Sequence, residues 1–269
     1  MFKKSITISK VIQNKIVEVK DEVLIEKPID ININSESFAS ILCLPKNLKE
    51  LTIGFLFSTG VISSIVDILQ INLNEEKDKI EVKLDDSIKI TPEILSLNPL
   101  GRVVDITSGI STPLRNIITR TLGSEKKFAI SKNKIRLTAN SISNFIKRMQ
   151  SETKLFQETG GCHGCAIFDK NGNLITIMED IGRHNAIDKA IGEVLLKKIS
   201  FDNLILCSTG RLTGDSVLKA IRAKIPIVAS VSAPIESGIN LAKNYGITLI
   251  GFVREKRMNI YTHSFRIEL

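Results

Sequence analysis

The sequence predicts an α/β protein: a mixed, mostly parallel sheet with helices on both faces, joined to a smaller strand-rich N-terminal domain. Three observations carry this. From about residue 140 onward, apolar strands alternate with helical stretches of about ten residues, the pattern of a sheet covered on both faces. A hairpin stands ahead of these units and makes the sheet mixed. Before about residue 130 the chain is dominated by short alternating segments around one helix. At 269 residues, 43% hydrophobic and 25% charged, the chain can build two modest domains with real cores. The expected division is residues 1–135, including an irregular loop at 96–116, and residues 136–269.

The elements follow in order. Residues 15–20 and 79–84 alternate polar and apolar side chains and predict strands. Residues 48–57 predict a helix that stops near Gly60, a C-cap residue. Residues 96–116 mix Pro, Gly, Ser and Thr without periodicity, and a loop that long is usually functional or disordered. Residues 141–152 predict a helix with Ile142, Phe145, Ile146 and Met149 on one face. Residues 166–169 and 174–178 predict a hairpin turning at Asn171-Gly172. Then come a helix (185–197), a strand (204–207), a helix (215–223), a strand (226–231), a helix (235–245) and a last strand (248–253).

Lys and Arg number 37 against 29 Asp and Glu, a net charge of +8 that suits an anionic partner. Nucleic acid is not expected: aromatics are 5%, Trp is absent, and the charge is spread along the chain with no basic tail. No apolar run approaches the roughly 18 residues of a membrane span, so no membrane association is expected. The first residues lack the apolar core and cleavage site of a secretory signal, and four cysteines are too few for a disulfide framework. A cytoplasmic, reduced setting is the expectation. A homodimer is compatible with the sequence, which does not specify it.

Ligands of such a sheet bind at the carboxyl ends of its strands. Three loops qualify: residues 208–211 (Gly210, Arg211), 232–234 (Ser232), and 252–257 (Phe252, Val253, Arg254, Glu255, Lys256, Arg257). Small residues let backbone N–H groups approach a phosphate, and arginines can hold its oxygens. The plain alternative is three ordinary turns. Residues 179–188 (EDIGRHNAID) read either as helix capping or as a polar wall with Arg183 and His184 facing a ligand. Residues 159–165 (TGGCHGC) bring Gly160, Gly161, Cys162, His163 and Cys165 together just before a strand. The Cys-x-x-Cys spacing serves a redox pair, a persulfide carrier or half a zinc site, with buried structural thiols as the bland reading. No second cysteine pair completes a zinc set, so no metal site is expected. Cys43 and Cys207 sit in apolar strands and read as core.

Several of these segments resemble the FdhD/NarQ family: residues 50–62 (ELTIGFLFSTGVI), TGG at 159–161 with His163, EDIGRHNAIDKAIG at 179–192, STGR at 208–211, SAP at 232–234, and residues 251–262. The resemblance runs in family order over residues 45–262. It implies a second half similar in fold to cytidine deaminase. It also implies a sulfurtransferase-like sulfur carrier for formate dehydrogenase maturation. Such a carrier accepts sulfur from a cysteine desulfurase and passes it to a molybdenum (or tungsten) bis-molybdopterin guanine dinucleotide cofactor, bound as cargo. The partners implied are the desulfurase and the formate dehydrogenase catalytic subunit. The family's cofactor-contacting segment corresponds here to residues 252–257. One departure stands out. The family's persulfide loop, Cys-Gly-x-Cys, corresponds to residues 106–112, where Ser108 and Ser111 take the cysteine places. A hydroxyl cannot carry a persulfide. Either Cys162 and Cys165, with His163 beside them, take over sulfur chemistry, or this member is a cofactor-binding chaperone without a sulfur step. A zinc-dependent deaminase-like enzyme using Cys162, Cys165 and a histidine is the alternative from another class.

Overall fold

The computed structural model describes residues 2–88, 130 and 134–269, with 103–104 as backbone. Strands β1 (Lys3–Ile12) and β2 (Lys15–Leu24) form a mostly exposed antiparallel hairpin. Its turn residues, Gln13 and Asn14, both have positive φ (48° and 61°), the backbone sense that a two-residue hairpin turn needs. The Lys3–Glu158 ion pair (2.7 Å) ties the hairpin to the second half.

A five-stranded sheet follows, in the order β5-β6-β3-β4-β7. Its strands are β3 (Lys27–Ile33), β4 (Glu36–Cys43), β5 (Ile68–Asn74), β6 (Lys79–Leu84) and β7 (Val103–Val104). Helix α1 (Leu48–Thr59) ends as its sequence predicts: Gly60 takes φ 83° and donates its N–H to the carbonyls of Leu56 and Phe57.

The second half carries helices α2 (Ala139–Glu152), α3 (Lys154–Thr159), α4 (Arg183–Leu196), α5 (Gly214–Arg222) and α6 (Glu236–Tyr245). Short strands β8 (Leu137–Thr138) and β15 (Ile267–Glu268) pair with each other. The central sheet comprises β9 (His163–Asp169), β10 (Leu174–Asp180), β11 (Leu204–Ser208), β12 (Ile227–Ser230), β13 (Thr248–Arg254) and β14 (Arg257–Thr262), ordered β10-β9-β11-β12-β13-β14. The sheet is mixed, as expected. Parallel pairing is confined to β11-β12-β13, and the flanking pairs are antiparallel, fewer parallel pairs than the sequence suggested. The difference arises because β9 enters the sheet antiparallel to β11 and a sixth strand, β14, turns back beside β13.

Both faces are covered. One buries Ala166, Phe168, Ile205, Cys207, Ile227 and Ala229 against Ile142, Phe145, Ile146 and Met149 of α2, the stripe its periodicity predicts. The alternate residues, Cys165, Ile167, Leu204, Leu206 and Val228, face a larger core filled by α4 and α5. That core runs across residue 135, because Leu51, Ile53 and Phe55 of α1 share it with Ala186, Ile187 and Ile191 of α4. The two helices meet backbone to backbone. A methyl group on Gly54 would stand 1.8 Å from the Asp188 carbonyl oxygen, and one on Gly192 would stand 1.9 Å from the Glu50 carbonyl oxygen. Among the described residues no helix is long and apolar enough to cross a membrane.

Candidate functional site

Topology gathers the predicted loops at one end of the central sheet. Because β9 runs against β11 and β10 against β9, the start of β9 and the end of β10 join the carboxyl ends of β11, β12 and β13. Gly160 to His163, Ile181 to Arg183, Thr209 to Arg211, Ser232 to Pro234 and the 252–257 segment therefore converge. Hydrogen bonds stitch them together. Thr209 donates its N–H to the Gly164 carbonyl (3.0 Å), and its Oγ1 accepts the Gly164 N–H (3.0 Å) and contacts His163 Nδ1 (3.1 Å). Ser230 donates its hydroxyl to the carbonyls of Ser208 (2.9 Å) and Gly210 (2.7 Å) and accepts the Ser232 N–H. Phe252 donates its N–H to the Ser232 carbonyl (3.1 Å). A cavity of about 750 Å³ opens between α3 and this sheet end, lined in part by Phe156, Gly161, Cys162, His163, Thr209 and Val231. A second cavity, of about 630 Å³ and lined by Phe57, Phe201, Arg222 and Lys224 among others, lies where α4 and α5 end. Helix C-termini disfavour an anion there.

The acidic residues of the 179–188 segment are scaffold. Glu179 accepts the N–H groups of Leu155 (3.1 Å) and Phe156 (2.9 Å) and so caps α3. Asp180 is fully buried, pairs with Lys189 (2.6 Å), and accepts the Gly182 N–H and the Asn185 amide. Asp188 pairs with Lys219 (2.5 Å) and accepts the Ser58 hydroxyl (2.7 Å). Removing one partner of such a buried pair costs about 3–5 kcal/mol. The capping reading is therefore overturned for α4, whose N-terminus has no side-chain cap: Asp180 is spent on Lys189, Glu179 caps α3 instead, and Asp188 pairs with Lys219. His184 corrects the polar-wall reading: it is 5% exposed, because α4 is buried nearly all round. Arg183, half-buried at the start of α4, does reach the site and lies against Gly210.

The Cys-x-x-Cys spacing does not make a pair. Cys162 stands just ahead of β9 and Cys165 is its third residue, and side chains three apart along extended backbone point to opposite faces. Cys165 is accordingly enclosed in the large core, whereas Cys162 packs beside Leu44 and Leu155 and lines the cavity. Burial raises the Cys165 thiol well above its ordinary value, so it is not a nucleophile of this site. Cys162 points its thiol at Glu179 Oε1 (3.5 Å), and burial followed by the Glu179 charge pushes it up to about 12. Both are thiols, not thiolates, at neutral pH. Cys43 and Cys207 are core, as expected, so all four cysteines of the chain are buried. His163 is held below its usual value by burial first and then by Arg183, with Asp180 opposing and Arg211 adding to the depression. Among the described residues no three His, Cys, Asp or Glu side chains are grouped to hold a metal ion.

The 252–257 segment is the tip of the β13–β14 hairpin. Arg254 and Arg257 pair across it, with Glu255 and Lys256 at the turn. Phe252 has a φ of 53°, rare for a bulky side chain, and is 37% exposed. Val253 is 1% exposed and packs into the core, so its side chain cannot touch a ligand. Arg254 donates to the carbonyls of Val231 (2.7 Å) and Val253 (2.9 Å), which fixes its guanidinium over the neighbouring loop. Arg257, Lys256 and Glu255 are exposed. Ser108 and Ser111 lie outside the described residues. Thr209 was missed by sequence reasoning; its only signal was its place beside Gly210 in the Ser-Thr-Gly-Arg loop.

Fold and site together define a mixed α/β protein that gathers small-residue loops, a cavity and several arginines at one end of its central sheet. The profile of the FdhD/NarQ family matches residues 24–268, and the chain belongs to that family. It is similar to curated proteins named Sulfur carrier protein FdhD. That of Saccharolobus solfataricus is 39% identical over 92% of this chain and 91% of its own length. That of Sulfolobus acidocaldarius is 34% identical over 99% of both chains, and that of Bacillus pumilus is 38% identical over 92% and 90%. A crystal structure from Desulfotalea psychrophila, provisionally assigned as a formate dehydrogenase accessory protein, superposes with a TM-score of 0.78 over 100% of both chains at 29% identity.

Proposed function

We propose that this chain is a cytoplasmic accessory protein of formate dehydrogenase maturation. Its cargo is a molybdenum or tungsten cofactor bearing two guanine dinucleotide arms, held at the end of the central sheet. One observation carries the reading: five separate segments converge there, bringing Arg183, Arg211, Arg254 and Arg257 to strand ends where a pyrophosphate is favourably bound. Membership of a family whose relatives are named sulfur carriers supports the sulfur step, with a cysteine desulfurase as donor. Supplying the chain to cells that lack their own family member tests the reading. Formate dehydrogenase activity should return with the wild-type chain and fall severalfold with Arg254→Ala/Arg257→Ala at equal expression. Equal activity from both would remove the cargo site from this sheet end.

A second reading, a cofactor chaperone without sulfur transfer, is favoured by the burial of all four cysteines and by the serines at 108 and 111. Incubation with a desulfurase and cysteine, followed by peptide mass spectrometry, separates the two. Persulfide on Cys162 that disappears in Cys162→Ala supports transfer. A wild-type chain that stays unmodified while still activating the enzyme supports the chaperone.

A further inference from the structure

All but the last residue of the β1–β2 hairpin precedes the family match, which begins at residue 24. Directly opposed residues of an antiparallel pair share a face. The register therefore collects Ile6, Ile8, Ile12, Val17, Val19 and Val23 on one face of the ribbon. None of the six joins a hydrophobic core among the described residues. No third strand among those residues extends the ribbon on either side. A two-stranded ribbon is marginally stable by itself and needs a further strand or a covered face.

The two open edges differ in charge. Strand β1 carries Lys3, Lys4 and Lys10 and no acid, a like-charged edge that repels its own copy. Strand β2 mixes the signs, with Lys15, Glu18, Lys20, Asp21 and Glu22, and all five side chains are exposed. The hairpin's two-residue turn closes on Ile12 and Lys15, a hydrogen-bonded pair. Residues 15, 17, 19, 21 and 23 therefore bond to β1, and Ile16, Glu18, Lys20 and Glu22 turn their N–H and C=O groups to the open edge.

We propose that β2 pairs antiparallel with β2 of a second copy of this chain, about a two-fold axis at Val19, to make a four-stranded sheet in the order β1-β2-β2-β1. In this register Glu18 of each chain stands opposite Lys20 of the other, which gives two ion pairs between residues that both offer open backbone groups. Ile16 falls opposite Glu22, Val17 opposite Asp21 and Lys15 opposite Val23, so no like charges meet. Centring the pairing on residue 18 or 20 instead sets Glu18 or Lys20 against its own copy. A slip of half a step matches open backbone groups with groups already bonded to β1. The contact is isologous and closes after two copies. It lies away from the end of the central sheet and does not depend on the cargo reading.

Sedimentation of the full chain across a concentration series should show a monomer–dimer equilibrium. Glu18→Lys sets lysine against Lys20 twice and should weaken dimerisation about tenfold or more, and Lys20→Glu should do the same. The double variant Glu18→Lys/Lys20→Glu restores both pairs in reverse and should return to within about threefold of wild type. Lys147→Glu, exposed on α2, should change the equilibrium less than about twofold. Val19 and its copy form a non-hydrogen-bonded pair with Cα atoms about 4.5 Å apart, within the span of a disulfide. Val19→Cys should therefore crosslink into a covalent dimer on mild oxidation. Val11→Cys, at a position 68% exposed near the hairpin tip, should not, and neither should the wild type, whose four cysteines are buried. Charge rescue together with crosslinking at Val19 supports the pairing. A wild type that stays monomeric, a dimer indifferent to both single charge variants, or a double variant no tighter than the singles overturns it.

Discussion

Replacing Gly54 by alanine tests the contact that joins the two halves. The added methyl would stand 1.8 Å from the Asp188 carbonyl oxygen and 2.5 Å from its carbon, both backbone atoms that cannot rotate away. Reaching an ordinary contact of about 3.4 Å requires α1 and α4 to part by roughly 1.6 Å. Asp188 also accepts the hydroxyl of Ser58, on α1 itself, at 2.7 Å, and a shift of that size breaks the bond. Overpacking costs about 1–3 kcal/mol and occasionally more. A lost hydrogen bond to a charged group adds about 1.5–3 kcal/mol. Alanine's better helix propensity returns about 1 kcal/mol. The expected net loss is about 2–5 kcal/mol, a large part of the roughly 5–15 kcal/mol that holds a domain together. Thermal unfolding followed by circular dichroism should show the melting temperature falling by about 5–15 °C. Gly192→Ala should do the same, and the double variant should lose less than the sum, because the sites share one contact. A Gly54→Ala protein melting within about 1 °C of wild type would refute the close approach of the two helices.

Two further outcomes follow from the site. His163 has a folded pKa below its ordinary value of 6.5. Between the two values the unfolded chain binds a proton that the native state does not, so stability falls as pH drops below about 6.5 and is unaffected above it. His163→Gln should remove that part of the loss. Urea midpoints at pH 7.5 and 5.5 that change equally in both proteins would contradict it. Cys43, Cys165 and Cys207 should react with iodoacetamide only as fast as the protein opens, whereas Cys162, on the cavity wall, is slowed only by its raised pKa. Complete modification of native Cys165 within minutes would place its thiol outside the structure described.

The elements with strong periodicity were legible in the sequence. The α2 stripe, the strand–helix alternation after residue 200 and the Gly60 cap all appear where their residues predict. The convergence of the Gly/Ser loops was legible too, since topology sends parallel strand ends to one side. What failed were features that depend on distant partners or on face. Asp188 finds Lys219, 31 residues away, and no local pattern signals it. His184 looks polar in sequence, but α4 is wrapped on nearly all sides, so no exposed face remained for it. Cys162 and Cys165 read as a pair along the chain, and the strand starting at His163 sends them to opposite faces. The cations of residues 254–257 look the same whether they end a strand or turn a hairpin, which is why β14 went unseen. The segments shared with the family carry scaffold: Gly54, Asp180, Asp188 and Gly192 all serve the α1–α4 junction or its buried ion pairs.

The central claim is that a guanine nucleotide is held at the end of the central sheet, and titration calorimetry with guanosine diphosphate tests it most directly. Arg257 is exposed at the hairpin tip, and Arg254 is braced against the Val231 carbonyl at 2.7 Å. A charge-assisted contact is worth about 1.5–3 kcal/mol, so Arg254→Ala or Arg257→Ala should weaken binding about tenfold to a hundredfold. Lys256→Ala should weaken it less, since an ammonium lacks the planar fork that holds two phosphate oxygens. Guanosine diphosphate binding to both arginine variants as tightly as to the wild type would contradict the account.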